Sequence, residues 1–416
     1  MKILMLFSYA PLPPPRDLGG TKRNRPFLME LLKRHEVSVL GYGSPEDERI
    51  FRADMGSRCK HITFVDRRRP RIINGLQQYW LLFTGRSHFR QIYRKEMQTA
   101  LDDILRREHF DIIHCVTQFF GYFQFPKNVP VTSDSHEVTY DLLYRSFKQT
   151  RNLFGKLLSY IMYKLGKPEE IMVCKTFDTL ITTTERDRMV FGEILPDQTI
   201  VAINNGVDPA FFEPRSEPVE TGTMVFTGKM DFYPNRQGIA YFLDEIFPRV
   251  LRKAPNARIY IVGAYPQKDL LRRACENIVV TGFVDDVRPY MARGEVYIIP
   301  LWIGGGIRGK ALEAMAMRKS IVTTTIGCES IKLKHDDSAL FADTAEDFAA
   351  AILRLFGDSG LRQRLAAQAH ANVLKYYDWE KQGEVLENTL EKIVSVRNKQ
   401  SARTSGSIAS SLLAEQ

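Results

Sequence analysis

The most informative stretch of the 416-residue chain is residues 300–317, Pro-Leu-Trp-Ile-Gly-Gly-Gly-Ile-Arg-Gly-Lys-Ala-Leu-Glu-Ala-Met-Ala-Met. Three glycines, Gly304, Gly305 and Gly306, let a backbone come close to a ligand, and a helix is expected to start near Ile307 or Arg308. The free N–H groups at such a helix start would cradle phosphate. Arg308 adds a bidentate fork and Lys310 a compact point charge. Glu313 follows less than a turn and a half into the helix, where a carboxylate can accept hydrogen bonds from two vicinal hydroxyls, as on a ribose. The competing reading is a glycine turn capped by a solvated basic pair.

Other residues are placed for chemistry without forming so dense a pattern. His136 stands in Asp134-Ser135-His136-Glu137, just after a predicted strand, although a lone histidine is more often structural. His114 lies inside the strand predicted over Asp111–Val116, and packing alone explains it. Gly19-Gly20 precedes a predicted helix, and a plain turn accounts for that equally well. No Asp-x-Asp occurs, so the usual chelating pair for a divalent metal is missing, and no carboxylate is set apart as a covalent nucleophile. The five cysteines are scattered, which argues against a zinc site or a disulfide framework and for a reducing compartment.

These residues need a scaffold, and the periodicity supplies one. Short apolar, β-branched runs at residues 2–7, Val37–Leu40, Ile62–Val65, Asp111–Val116, Val129–Thr132 and Thr179–Thr182 read as buried parallel strands. Helical segments such as 22–34 separate them. The alternation restarts after Asn204-Asn205-Gly206-Val207-Asp208. Strands are then expected at Thr223–Thr227, Arg258–Val262, Ile278–Thr281, Val296–Ile299 and Ser320–Thr323, with helices near 236–252, 268–275, 308–318 and 345–356. Two such arrays in series predict two doubly wound α/β domains. The boundaries are 1–205 and 206–378, with a helix over 379–396 crossing back to the first domain and a disordered tail over 397–416. Sheets of this kind bind ligands beyond the carboxyl ends of their strands, so a central cleft faced by both domains is the expected site.

On these motifs the chain resembles the family-4 retaining glycosyltransferases, which have the GT-B fold of two Rossmann-like lobes. Leu312-Glu313-Ala314-Met315-Ala316 matches their signature after the glycine loop, and Ser320-Ile-Val-Thr-Thr matches the strand that follows. Asn205-Gly206-Val207-Asp208 corresponds to their interdomain Asn-Gly-Val-Asp, and Phe226-Thr-Gly-Lys-Met to the start of their donor domain. The resemblance implies nucleotide contacts from Gly228, Lys229, the backbone of Gly282-Phe283-Val284, the loop Gly304–Gly306 and Glu313. It implies that Gly19-Gly20 reaches toward acceptor and phosphates, and that His136, Arg308 and Lys310 take part in transfer. The implied reaction moves a sugar from a nucleoside-diphosphate sugar to a glycan or lipid-linked saccharide, with retention and without metal or other cofactor. Two departures stand out. Gly305 occupies the place of a frequent second glutamate, and Lys229 is the sole basic residue near the start of the first donor-domain loop. The Gly-Gly-Gly-x-Arg-x-Lys form resembles a sub-branch that includes exopolysaccharide and cell-envelope transferases.

A degenerate binding subunit and a GT-B-shaped sugar-nucleotide epimerase are the alternatives. A nicotinamide oxidoreductase is disfavoured, because no Gly-x-Gly-x-x-Gly closes the first strand. The first 200 residues carry a basic surplus of eight and the remainder a surplus of one. With no recognised nucleic-acid module, that field points to phosphates, acidic glycans or an anionic membrane. Residues 143–167 interleave Arg145, Lys148, Arg151, Lys156, Lys164 and Lys167 with aromatic and aliphatic side chains, as interfacial helices do. The expected location is cytoplasmic, peripheral on the inner face of a membrane.

Overall fold

The computed structural model describes residues 1–13, 21–66, 90, 92–149 and 152–414. The chain divides into two compact units, one of residues 1–203 with 382–416 and the other of 204–381.

The first unit is built on a seven-stranded sheet. Its strands are β1 (Lys2–Phe7), β2 (Glu36–Tyr42), β3 (Ile62–Val65), β4 (Ile112–Cys115), β5 (Val131–Ser135), β6 (Thr179–Thr182) and β7 (Thr199–Ala202), ordered β3-β2-β1-β4-β5-β6-β7. Every pairing is parallel. Parallel strands covered on both faces cannot alternate apolar with polar residues, which is why β1 buries Ile3 through Phe7 without a break. The second unit holds a six-stranded sheet of β8 (Glu220–Thr227), β9 (Arg258–Val262), β10 (Ile278–Gly282), β11 (Gly294–Ile299), β12 (Ser320–Thr323) and β13 (Leu340–Phe341), ordered β10-β9-β8-β11-β12-β13. It too is parallel throughout. In each sheet the order reverses beside the first strand, and the crevice past the strand ends at that reversal is where such folds take ligands. In the second unit this lies between β8 and β11.

Strand expectations match closely where apolar runs are long. β7 and the two-residue β13 carry too little buried side chain to stand out. The region expected as one helix over 236–252 is broken into Tyr233–Tyr241 and Phe247–Lys253, separated by a π-helical turn at Phe242–Ile246.

The end of the chain differs from expectation. A helix runs over Trp379–Ala414, so the segment 397–416 expected as a disordered tail continues it as far as Ala414. Its early part docks on the first unit. Leu386 and Leu390 are buried, Arg34 meets Glu387 at 3.0 Å, and a Cβ on Gly383 would lie 2.4 Å from Glu30. The two chain crossings run side by side, with Val207 N donating to Tyr377 O at 2.7 Å and Trp379 N to Val207 O at 3.2 Å. Gly206 is required there, since a Cβ would strike the Trp379 ring at 2.6 Å.

Candidate functional site

In the second unit, two segments far apart in sequence meet at the β8–β11 switch point. β8 ends at Thr227, and Gly228 turns the chain with φ +149°, outside the range an L side chain adopts readily. A Cβ there would also lie 2.7 Å from Asn235 Nδ2 and 2.9 Å from Lys310 Nζ. Lys310 therefore reaches from the helix Gly309–Ala316, which follows β11, to the turn that follows β8. Its ammonium donates to Asn235 Oδ1 at 2.8 Å and sits 3.8 Å from the centroid of the Phe226 ring. Asn235 in turn donates through Nδ2 to the Lys229 carbonyl at 2.8 Å.

The helix Tyr233–Tyr241 holds Asn235 in place. A Cβ on Gly238 would stand 2.1 Å from the Pro300 carbonyl, so the helix lies directly on the backbone entering the glycine loop. Below, Thr227 Oγ1 and the buried Tyr297 hydroxyl hydrogen-bond at 2.5 Å and pin β8 to β11. Burial pushes the Tyr297 phenol far up, and the charge of Glu313 adds to that rise.

In the glycine loop, Gly304 and Gly306 both have positive φ, while a Cβ on Gly305 would meet nothing within 4 Å. The place of the missing glutamate is thus open space. Arg308, the residue before the helix, folds back so that Nη1 donates to the Gly305 carbonyl. A Cβ on Gly304 would collide with that guanidinium at 2.3 Å. Arg308 braces the loop, and Lys310 carries the positive charge across to Gly228. Glu313 is partly buried on the same helix, with Oε1 4.0 Å from where a Gly309 Cβ would stand. The Lys229 side chain is exposed, and only its carbonyl joins the cluster. Gly282 ends β10 with φ +70°, followed by an exposed Phe283 and a half-buried Val284.

The first unit has a polar centre of its own. Asp134, near the end of β5, is buried and held bidentately by Arg23, with Nε to Oδ2 at 2.7 Å and Nη2 to Oδ1 at 3.0 Å. Burial alone would raise the Asp134 carboxyl, but the Arg23 charge and its hydrogen bond hold it below its ordinary value. His136 Nε2 lies 4.0 Å from Asp134 Oδ2. A third of the side chain is exposed, yet Nε2 itself is buried and has no hydrogen-bond partner among the described residues. Burial lowers the His136 pKa against the pull of Asp134, so the neutral ring is favoured. His114 is wholly buried, hydrogen-bonds Thr132 Oγ1 at 2.9 Å through Nδ1, and is pushed by burial down to about 4. It is a packed residue. Gly19 and Gly20 lie outside the described residues.

Sequence reasoning gave no site role to Asn235, Phe226, Arg23 or Asn24. Asn24 is buried on the helix Thr21–Leu31 with both amide atoms lacking partners among the described residues. The Asn235–Lys310 contact spans 75 positions, and no local spacing signals it. As for metals, His35, Glu387 and Glu391 come within reach of one another among the described residues, but Arg34 already engages Glu387.

Comparison with known proteins follows the same division. Residues 19–211 match the model for Glycosyltransferase Family 4, and residues 221–358 that for Glycosyl transferases group 1. An uncharacterized glycosyltransferase of Methanocaldococcus jannaschii is 24% identical over 408 residues, covering 88% of this chain and 93% of that protein. A phosphatidyl-myo-inositol mannosyltransferase of Mycolicibacterium smegmatis is 31% identical over 191 residues, covering 43% of this chain and 48% of the relative. Among solved structures, Anabaena HepE in complex with UDP-glucose superposes with a TM-score of 0.66 at 12% identity, covering 94% of this chain and 100% of that one.

Proposed function

This chain is a glycosyltransferase of the GT-B, family-4 type, and from that premise we propose that it uses a nucleoside-diphosphate sugar, retains anomeric configuration and needs no metal. The observation that carries the reading is the Lys310 ammonium, fixed at the β8–β11 switch point by Asn235 and lying beside the Gly228 turn. A cation positioned before the ligand arrives meets the charge that develops on a departing diphosphate at no cost of reorganisation. Arg308 and the start of the helix Gly309–Ala316 complete the anion site. Gly304–Gly306 give it close approach, Glu313 takes the ribose hydroxyls, and the backbone of Gly282-Phe283-Val284 meets the base. Gly228 and Lys229 line the diphosphate.

In the transfer step the acceptor hydroxyl oxygen bonds to the anomeric carbon on the face from which the diphosphate leaves. The bond from that carbon to the diphosphate oxygen breaks, and the hydroxyl proton passes to the departing phosphate. His136, neutral and with Nε2 unengaged, hydrogen-bonds a hydroxyl of the sugar or acceptor. The UDP-glucose bound by HepE supports the donor class. The lipid acceptor named for the mycobacterial relative supports a glycan or lipid-linked saccharide of polysaccharide or cell-envelope synthesis. We place the enzyme in the cytoplasm, peripheral at an anionic membrane.

The test is incubation of the purified chain with a panel of nucleotide sugars, following slow donor hydrolysis without acceptor. Release of nucleoside diphosphate from one or a few donors is expected. Inertness toward all of them, with no nucleotide binding by calorimetry, overturns the reading in favour of a non-catalytic binding subunit.

A further inference from the structure

We propose that the antiparallel pair of helices Thr139–Gln149 and Leu153–Cys174 docks the first unit on an anionic lipid surface. The longer helix is amphipathic in an unusual sense. Tyr163, Gly166, Glu170 and Val173, spaced three and four apart, turn inward. Leu153, Leu157, Tyr160, Ile161 and Lys164 form a second stripe at helical spacing, and this one faces outward. Leu153 is 84% exposed, Leu157 57% and Ile161 39%, so the stripe lacks cover from the described part of its own fold.

Charge decides what covers it. Between Asp141 and Glu169 the chain has six Lys or Arg and no Asp or Glu. Lysines lie against the rings that border the stripe: Lys148 Nζ is 4.7 Å from the Tyr144 centroid, Lys156 5.4 Å from Phe147, and Lys164 5.6 Å from Tyr160. An apolar stripe rimmed by aromatics and cations matches the boundary between acyl chains and anionic headgroups. A protein partner or a second copy would need an acidic rim to complement it. Among the described residues, no helix is long and apolar enough to cross a membrane, so the contact is along the surface.

The surface is also tied to the polar centre of the same unit. Glu170, on the longer helix, accepts from Thr139 N at 2.9 Å and Tyr140 N at 2.8 Å, fixing the root of the shorter helix just beyond His136. Thr183 Oγ1 donates to the His136 carbonyl at 3.0 Å. Granting the proposed transfer reaction, a lipid-linked acceptor held at this surface is presented near His136.

Flotation of the full chain on phosphatidylcholine vesicles with and without phosphatidylglycerol tests the surface. Binding is expected to the anionic vesicles only and to fall as salt rises. Leu157→Ser with Ile161→Ser, and separately Lys156→Glu with Lys164→Glu, should each lower the bound fraction about tenfold or more. Thermal melts and donor hydrolysis in vesicle-free buffer should stay at wild-type values. Equal flotation on neutral vesicles, no flotation, or variants that float like wild type overturns the proposal. So does sedimentation showing a dimer that the serine variants dissociate without any vesicle binding. Flotation that behaves as expected while no form hydrolyses any donor supports this surface and sinks the proposed reaction instead.

Discussion

Lys310 donates to Asn235 across 75 positions of sequence, and the amide of Asn235 donates onward to the Lys229 carbonyl, both at 2.8 Å. One asparagine thus joins the two loops that flank the switch point of the second sheet, and aims the ammonium at the Gly228 turn. The site has one structural unit made of two sequence motifs.

Lys310→Ala is expected to lower kcat and kcat/KM together by roughly tenfold or more, because a charge-assisted contact of ~1.5–3 kcal/mol is lost as the phosphate departs. Asn235→Ala should cause a smaller loss in the same direction. If Asn235 acts through Lys310, the double variant will be no worse than Lys310→Ala alone. Additive losses in steady-state kinetics would separate the two residues.

Arg308 and Glu313 should differ in kind. Arg308→Ala removes both a cation and the brace on the Gly305 carbonyl, so kcat should fall by about tenfold. A ribose contact is made alike in ground and transition states, so Glu313→Ala should chiefly raise the donor KM. Wild-type kcat and kcat/KM in both Arg308→Ala and Lys310→Ala would show that the glycine loop does not hold the phosphates.

Donor turnover should survive exhaustive chelation, since in the proposed site Lys310, Arg308 and a helix start would meet the charge of the diphosphate. The assay is donor hydrolysis with EDTA, followed by add-back of manganese or magnesium. Activity abolished by the chelator and recovered only with metal would contradict this.

Gly228→Ala should damage stability and donor binding at once. The new Cβ meets φ +149° and stands 2.9 Å from Lys310 Nζ, so either the turn strains or the ammonium moves. A stability loss of roughly 1–3 kcal/mol is expected, seen as a lower Tm, with a raised donor KM. Gly305→Ala, where a Cβ meets nothing, is the matched control and should leave Tm nearly unchanged.

Glu170 should make stability depend on pH in a direction unusual for a carboxylate. Burial raises its pKa from 4.5 to about 7, although Thr139 N, Tyr140 N and Gln118 donate to it and oppose that rise. The folded chain therefore keeps a proton that the unfolded chain gives up. The stabilising contribution is complete below pH ~4.5 and is lost as pH climbs to ~7, a change on the order of 3 kcal/mol. Wild-type Tm minus Glu170→Gln Tm should fall across that window. Parallel Tm curves would show that Glu170 does not titrate there.

The sequence by itself determined what short-range physics can write. Short runs rich in β-branched residues, such as Arg258–Val262 and Thr179–Thr182, favour strands buried on both faces, and they are found at those bounds. The glycine-to-helix transition before Leu312-Glu313 marked the proposed anion site because its parts are adjacent along the chain. Tertiary structure decided how the two cations are placed. Arg308 and Lys310 are equal candidates by composition, yet one curls onto its own loop while the other crosses to β8. That outcome depends on Gly238 packing against Pro300 and on Asn235 riding the same helix. The polar centre of the first unit is similar, since Arg23 and Asp134 are 111 positions apart and find each other only once both are buried. The last helix shows the reverse error. Its Ser- and Ala-rich end gave no apolar stripe to read, whereas helical hydrogen bonding propagates from a docked segment without one.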